Sequence, residues 1–232
     1  MSLYVPNEGE KEMMRSILAA QQWILGLYKN IVSPDGSLTM LGITEMPAGG
    51  GRGYAPKVLS MDFAEAPAAD KWCIGLNSAG KAEGQYHNTY LEWEFLAADV
   101  TDGNTVYGVM AYTYVLPFDA GLAAGPIKVG DTVTGLASGA AGVVTGVVVT
   151  SGSWAGNNAA GYLFIKNKTG IFQNDEALQV SGVTLATSNT GTLFGGDAHK
   201  KLVFLEEFPE AKAIDTAGQK IRVTMKWTLS TG

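Results

Sequence analysis

Every second residue from 221 to 229 is apolar: Ile221, Val223, Met225, Trp227 and Leu229 alternate with Arg222, Thr224, Lys226 and Thr228. A period of two puts the first set on one face of a strand and the second on the other. That is the pattern of an antiparallel sheet with one face on a core and one in water or against a partner. Leu91, Trp93 and Phe95 repeat it, with Glu92 and Glu94 between them. Strands of this kind need many tight turns, and 30 glycines supply the positive φ that such turns require. The chain is therefore expected to be mainly β, with helix the minor element.

One helix is expected near the start, over residues 8–22. Asn7 stands as an Asx cap before Glu8, Glu10 and Glu12, and Met13, Ile17, Ala20 and Ile24 follow at helical spacing. Its apolar face has two possible uses, packing on its own sheet or lying as an arm on a neighbouring subunit, so Met13 and Ile17 are candidate contact residues. Strands are expected over 23–32, 71–76, 88–97, 105–118 and 201–208. SPDG at 33–36 reads as a turn, TDGN at 101–104 closes a hairpin, and Pro209 ends the strand before it. The segment AGGGRGYAP at 48–56 carries too many glycines for regular structure and is expected as an ordered surface loop or a flexible contact loop.

From residue 126 to 192 the composition shifts to Gly, Val, Ala, Ser and Thr with few charges. Four short strands are expected there, over 129–135, 142–150, 161–170 and 176–187. The expected organisation is a parent β domain, residues 1–125 plus 193–232, shaped as a β-sandwich or jelly roll with its N-terminal helix, and an inserted small β-barrel-like domain over 126–192.

Chemistry is weakly signalled. A net charge of −6 argues against a phosphate-binding surface, so no nucleic-acid partner is expected. No stretch has the length and apolarity of a membrane span, and the N-terminus lacks the basic-then-apolar order of a secretory signal. A single cysteine, Cys73, excludes an internal disulfide, and with only two histidines it does not make a structural zinc set. Residues 75–82 match the GxxxxGK spacing of a phosphate loop, but Ala82 stands where Ser or Thr would bind magnesium, so a turn between two strands is the better reading. Glu92 and Glu94 share one strand face and do not flank a bond from opposite sides, which disfavours a glycosidase pair. His87 and His199 sit among polar or basic neighbours, and Cys73 reads as a buried small hydrophobe. No enzyme activity and no cofactor are expected. Aromatic residues in Gly-rich loops are the remaining candidates: Trp154 in SGSWAGNN and Tyr54, beside Arg52, in GRGYAP. Each is either a partner or sugar anchor or a plug folded back on its own core.

Several of these strings carry a resemblance. VPNEGEKEMM at 5–14, LGLYKN at 25–30, SPDG, and GYAPKVL at 53–59 resemble a group of small structural proteins of tailed phages. The inserted stretch resembles a β module that recurs in phage virion proteins, through GDTVTG at 130–135, SGAAGVV at 138–144, the passage from SGSWA to GYLFI, and GIFQNDEALQV at 170–180. The resemblance implies a virion structural protein, assembled in the host cytoplasm. Its implied role is a capsid decoration or cement protein that binds the major capsid protein or other virion proteins as a homo-oligomer, expected as a trimer. The alternative is a carbohydrate- or receptor-binding module of a tail or fibre.

Overall fold

The computed structural model describes residues 6–33, 35, 38–189 and 200–228. In chain order the elements are α1 (Asn7–Ala19), β1 (Ile24–Tyr28), β2 (Lys57–Val58), β3 (Phe63–Ala64), β4 (Trp72–Leu76), β5 (Ala82–Glu94), α2 (Ala97–Thr101) and β6 (Thr105–Gly121). They continue with β7 (Thr132–Gly135), β8 (Ala141–Ser151), β9 (Ala159–Thr169), β10 (Ala177–Val180), β11 (Val183–Ser188), β12 (Lys200–Ala213) and β13 (Lys220–Thr228). The fold is mainly β with a short N-terminal helix, as the alternation and glycine content require.

Two compact units divide the chain. The first contains residues 1–29, 45–109 and 207–232, and the second residues 30–44 and 110–206. In the first unit β13, β5, β4 and β3 form a sheet, antiparallel except for the β3–β4 pair. Its inner face carries Trp72, Tyr86, Trp93 and Ile221, all buried. The alternation of β13 is realised as expected, with Ile221 and Met225 buried and Lys220, Arg222, Thr224 and Lys226 exposed. Lys220 and Arg222 hold Glu92 across the strand pair, both at 2.7 Å. Leu229 lies outside the described residues.

Helix α1 packs on this sheet by a different stripe from the expected one. Glu10, Met14 and Leu18 face inward at a spacing of four, while Met13 and Ile17 remain 51% and 42% exposed. The physical reason is the close approach at Gly84, where a Cβ would lie 2.9 Å from Leu18 and 3.5 Å from Met14. Glu10 is buried because its carboxylate accepts the Ala82 N–H (3.3 Å) and meets Lys81 (3.5 Å) at the end of the β4–β5 turn. Pro6, not Asn7, is the N-cap, and Asn7 is the first helical residue. Ile24 belongs to β1, whose five residues are all buried. A strand with both faces covered has no alternation to show, which is why this region reads only as apolar.

The hairpin expected at TDGN does not form. β5 and β6 belong to different sheets, and α2 lies between them. Asp99 starts that helix by accepting the Leu96 N–H (2.8 Å), an early carboxylate satisfying a free helical donor. Pro209 lies inside β12 instead of ending it. Among the described residues β12 pairs with β6 only, which makes it an edge strand, the position in a sheet where proline is tolerated. Pro34 and Gly36 of the expected SPDG turn, and His199, lie outside the described residues.

In the second unit each strand finds an antiparallel neighbour: β6 pairs β9, β9 pairs β8, β8 pairs β7, β7 pairs β10, β10 pairs β11, and β11 returns to β6. The pairings thus close a circuit around a core that includes Leu116, Phe118, Val133, Leu163, Ile165 and Leu178. The stretch 176–187, expected as one strand, is a hairpin. Ser181 and Gly182 take φ of 50° and 80° at its turn, the paired left-handed conformation of a two-residue connection. Glu176, 5% exposed, ties loop to turn: its carboxylate accepts the N–H groups of Ala137 (3.0 Å), Ser138 (2.8 Å) and Gln173 (2.6 Å) and the Ser138 hydroxyl (2.8 Å).

Candidate functional site

The five residues singled out from the sequence do not converge. Arg52 and Tyr54 share the loop at 48–56 but have opposite tasks. Arg52 forms a two-point pair with Asp102, Nε to Oδ2 at 2.6 Å and Nη2 to Oδ1 at 3.2 Å. That hydrogen bond holds the Asp102 carboxyl below its ordinary range and raises the guanidinium above its own. Gly53 donates its N–H to the buried Asp99 carboxylate at 2.7 Å. A side chain at Gly53 is impossible without rearrangement, since its Cβ would lie 2.0 Å from the Glu94 carbonyl oxygen. The loop is thereby ordered by its own unit.

Tyr54 is a correction to the reading of an exposed anchor: it is 1% exposed. Its hydroxyl accepts the Leu27 N–H (3.0 Å) and donates to Glu45 (2.9 Å), satisfying a backbone donor at buried β1. Burial pushes the phenol far above its usual range, and the neighbouring Glu45 charge adds to that. Trp154 follows the second of the two readings offered for it. It is partly buried and stacks on Phe118 at 5.2 Å between ring centres and 16° between planes. Gly121 leaves room for it, since a Cβ there would come within 2.7 Å of the indole. Of the two uses considered for Trp154, the plug is the one seen.

Met13 and Ile17 are half exposed. They lie one turn apart on the outward side of α1, flanked by the ion pairs Lys11–Glu8 and Arg15–Glu12. The helix is held by its other stripe, so nothing within α1 requires these two side chains to be apolar.

Residues considered for catalysis have structural surroundings. Residues 77–81 form the β4–β5 turn, with Asn77 Oδ1 accepting the N–H groups of Ala79 and Lys81, both at 3.0 Å. Glu92 is committed to Lys220 and Arg222, which lower its pKa through their hydrogen bonds. Burial pushes the Cys73 thiol up, away from thiolate character. His87 Nδ1 accepts the Asp70 N–H at 3.0 Å. Among the described residues no group of three His, Cys, Asp or Glu side chains is placed to hold a metal ion. None of their helices is long and apolar enough to cross a membrane.

Two clefts went unseen in the sequence. The first unit has one of about 450 Å³, lined by Lys57, Leu59, Ser60, Asp70 and Tyr86 among others. The second unit has one of about 290 Å³ bounded by Pro117, Phe118, Thr150, Ala160, Tyr162 and Asn189. Both draw residues from strands far apart in the chain, so no local motif marks them. Comparison of the chain with protein-family models, with curated proteins and with solved structures gave no match.

Proposed function

We propose that this chain is a bacteriophage virion structural protein that binds the outer surface of the head and stabilises it, a non-enzymatic decoration or cement role. The observation that carries the proposal is the second apolar stripe of α1. Met13 and Ile17 stand half exposed one turn apart on a helix anchored by Glu10, Met14 and Leu18, which leaves them available to a protein partner on a fixed element. The resemblance of residues 5–14, 25–30 and 53–59 to small tailed-phage structural proteins points to the same class of partner. In this reading the partner is the major capsid protein or another virion protein, the chain works as a symmetric oligomer, a trimer, and its place is the virion. Many weak contacts repeated over a shell add by avidity, so a small apolar pair on each copy suffices.

The finer architecture belongs to the same proposal. We read the first unit as the sandwich- or jelly-roll-like body that docks, and the closed strand circuit of the second as a small barrel. Co-sedimentation of the purified chain with phage heads lacking it, with isolated tails as the parallel sample, tests the role. Saturable binding to heads, with greater heat resistance of the loaded heads, is the expected result. Replacing Met13 and Ile17 together by Asp should abolish that binding while leaving the thermal melt of the free chain nearly unchanged. Binding to tails alone, or undiminished binding by the double variant, would overturn the head-docking assignment.

A further inference from the structure

We infer that the second unit carries a binding site for a neutral pyranose sugar in the cleft beside Tyr162. This gives a chemistry to the glycan-binding alternative drawn from the sequence, and it does not depend on where in the virion the chain sits. The floor of the cleft is apolar. Pro117 of β6 and Tyr162 of β9 are cross-strand neighbours, and Ala160 lies two residues before Tyr162 on the same strand face. Leu163 and Ile165, on the opposite face of β9, fill the core, so the Tyr162 side is the outer one.

The rim is polar and held in place. Asn189 donates its backbone N–H to the Pro117 carbonyl (3.0 Å) and its side-chain amide to Asp119 (3.1 Å). That leaves the amide a second N–H and a carbonyl oxygen to offer. Thr150 donates its hydroxyl to the Ala160 carbonyl (3.2 Å) and keeps lone pairs to accept. A pyranose matches this division, with one face of C–H groups for the aromatic and aliphatic floor and a perimeter of hydroxyls that both donate and accept. A wholly apolar occupant would desolvate the Asn189 amide and the Thr150 hydroxyl without replacing their partners. The rim amide is already tied to the Asp119 carboxylate, whose charge nearby disfavours an anion. The cleft's volume of about 290 Å³ suits one ring, not a nucleotide. Lys201 lies 5.8 Å from the Tyr162 ring and 5.7 Å from that of Phe164, packed over aromatic faces.

The test is saturation-transfer NMR on the full chain with methyl glucoside, galactoside, mannoside and N-acetylglucosaminide. p-Cresol serves as an apolar ring of similar size, and glucuronate as the acidic counterpart. At least one neutral sugar should bind saturably with Kd of roughly 1–10 mM. Tyr162→Ala and Asn189→Ala should each weaken it about tenfold with the melting curve retained, while Tyr162→Phe keeps the ring and the binding. Four results would overturn the inference: no saturation by any neutral sugar, stronger binding of p-cresol, stronger binding of glucuronate, or neutral-sugar affinity unmoved by both alanine variants. Tyr162→Ala should still co-sediment with heads, so loss of sugar binding and loss of head binding report on separate assignments.

Discussion

Two buried tyrosines of the first unit should respond in opposite ways to loss of their hydroxyls. Tyr54 satisfies the Leu27 N–H, so Tyr54→Phe leaves a buried donor unpaired and should cost about 1–3 kcal/mol in urea unfolding. Tyr28 is fully buried with a hydroxyl that has no partner among the described residues, and burial, helped by Glu207, pushes it up to about 12. Tyr28→Phe removes that liability and should leave stability equal or up to about 1 kcal/mol higher. Glu176 sets the acid limb of stability. Burial raises its pKa, but donors from Ser138, Gln173 and Ala137 outweigh burial and hold the carboxyl below its ordinary value. A depressed folded pKa means the contribution is present above the unfolded value and is lost as pH falls through the folded one. Melting curves from pH 7 to pH 2 should show this loss, and Glu176→Gln should be destabilised by about 1–3 kcal/mol at pH 7 with a flatter acid limb. A mechanism of this kind was invisible in the string NDEALQV, because three of its four donors come from Ala137 and Ser138 in the turn after β7.

At the scale of elements, the β10–β11 turn offers a local check. Ser181 sits at φ 50°, a conformation that Asn tolerates better, so Ser181→Asn should raise stability slightly, by about 0.5 kcal/mol, read as a higher melting point. Gly182→Val, strained at φ 80°, should lower it by about 1–2 kcal/mol although nothing stands within 4 Å of the added Cβ. Elements were legible where one face meets water. β13 and the end of β5 alternate in sequence because Arg222, Lys226 and Glu92 stay at the surface. Legibility failed where burial was two-sided, as in β1, or where a single side chain redirected the chain. Asp99, by accepting the Leu96 N–H, converts an apparent hairpin into a short helix between two sheets. On α1 the helix was legible and its inward stripe was not, because Gly84, far downstream in the chain, decides which side can approach. The candidate site suffered the same limit. Glycine-rich loops drew attention to Tyr54 and Trp154, which pack inward, whereas the cleft beside Tyr162 is assembled by pairing of β6, β8 and β9.

For the whole molecule, the proposed docking rests on apolar contact, and the net charge of −6 gives no attraction to other acidic surfaces. Head binding should therefore persist or strengthen between about 0.05 and 0.5 M salt, whereas an ion-pair interface would weaken as screening grows. Co-sedimentation across that range distinguishes the two. The return of β11 to β6 has a consequence of another kind. In an open sheet a strand that slips by one residue turns its side chains over, and the error is absorbed at the free margin. A ring has no margin. A slip of any strand between β6 and β11 disturbs two ladders at once and is carried round the circuit toward its origin, so the alignments of its six strands are coupled to one another.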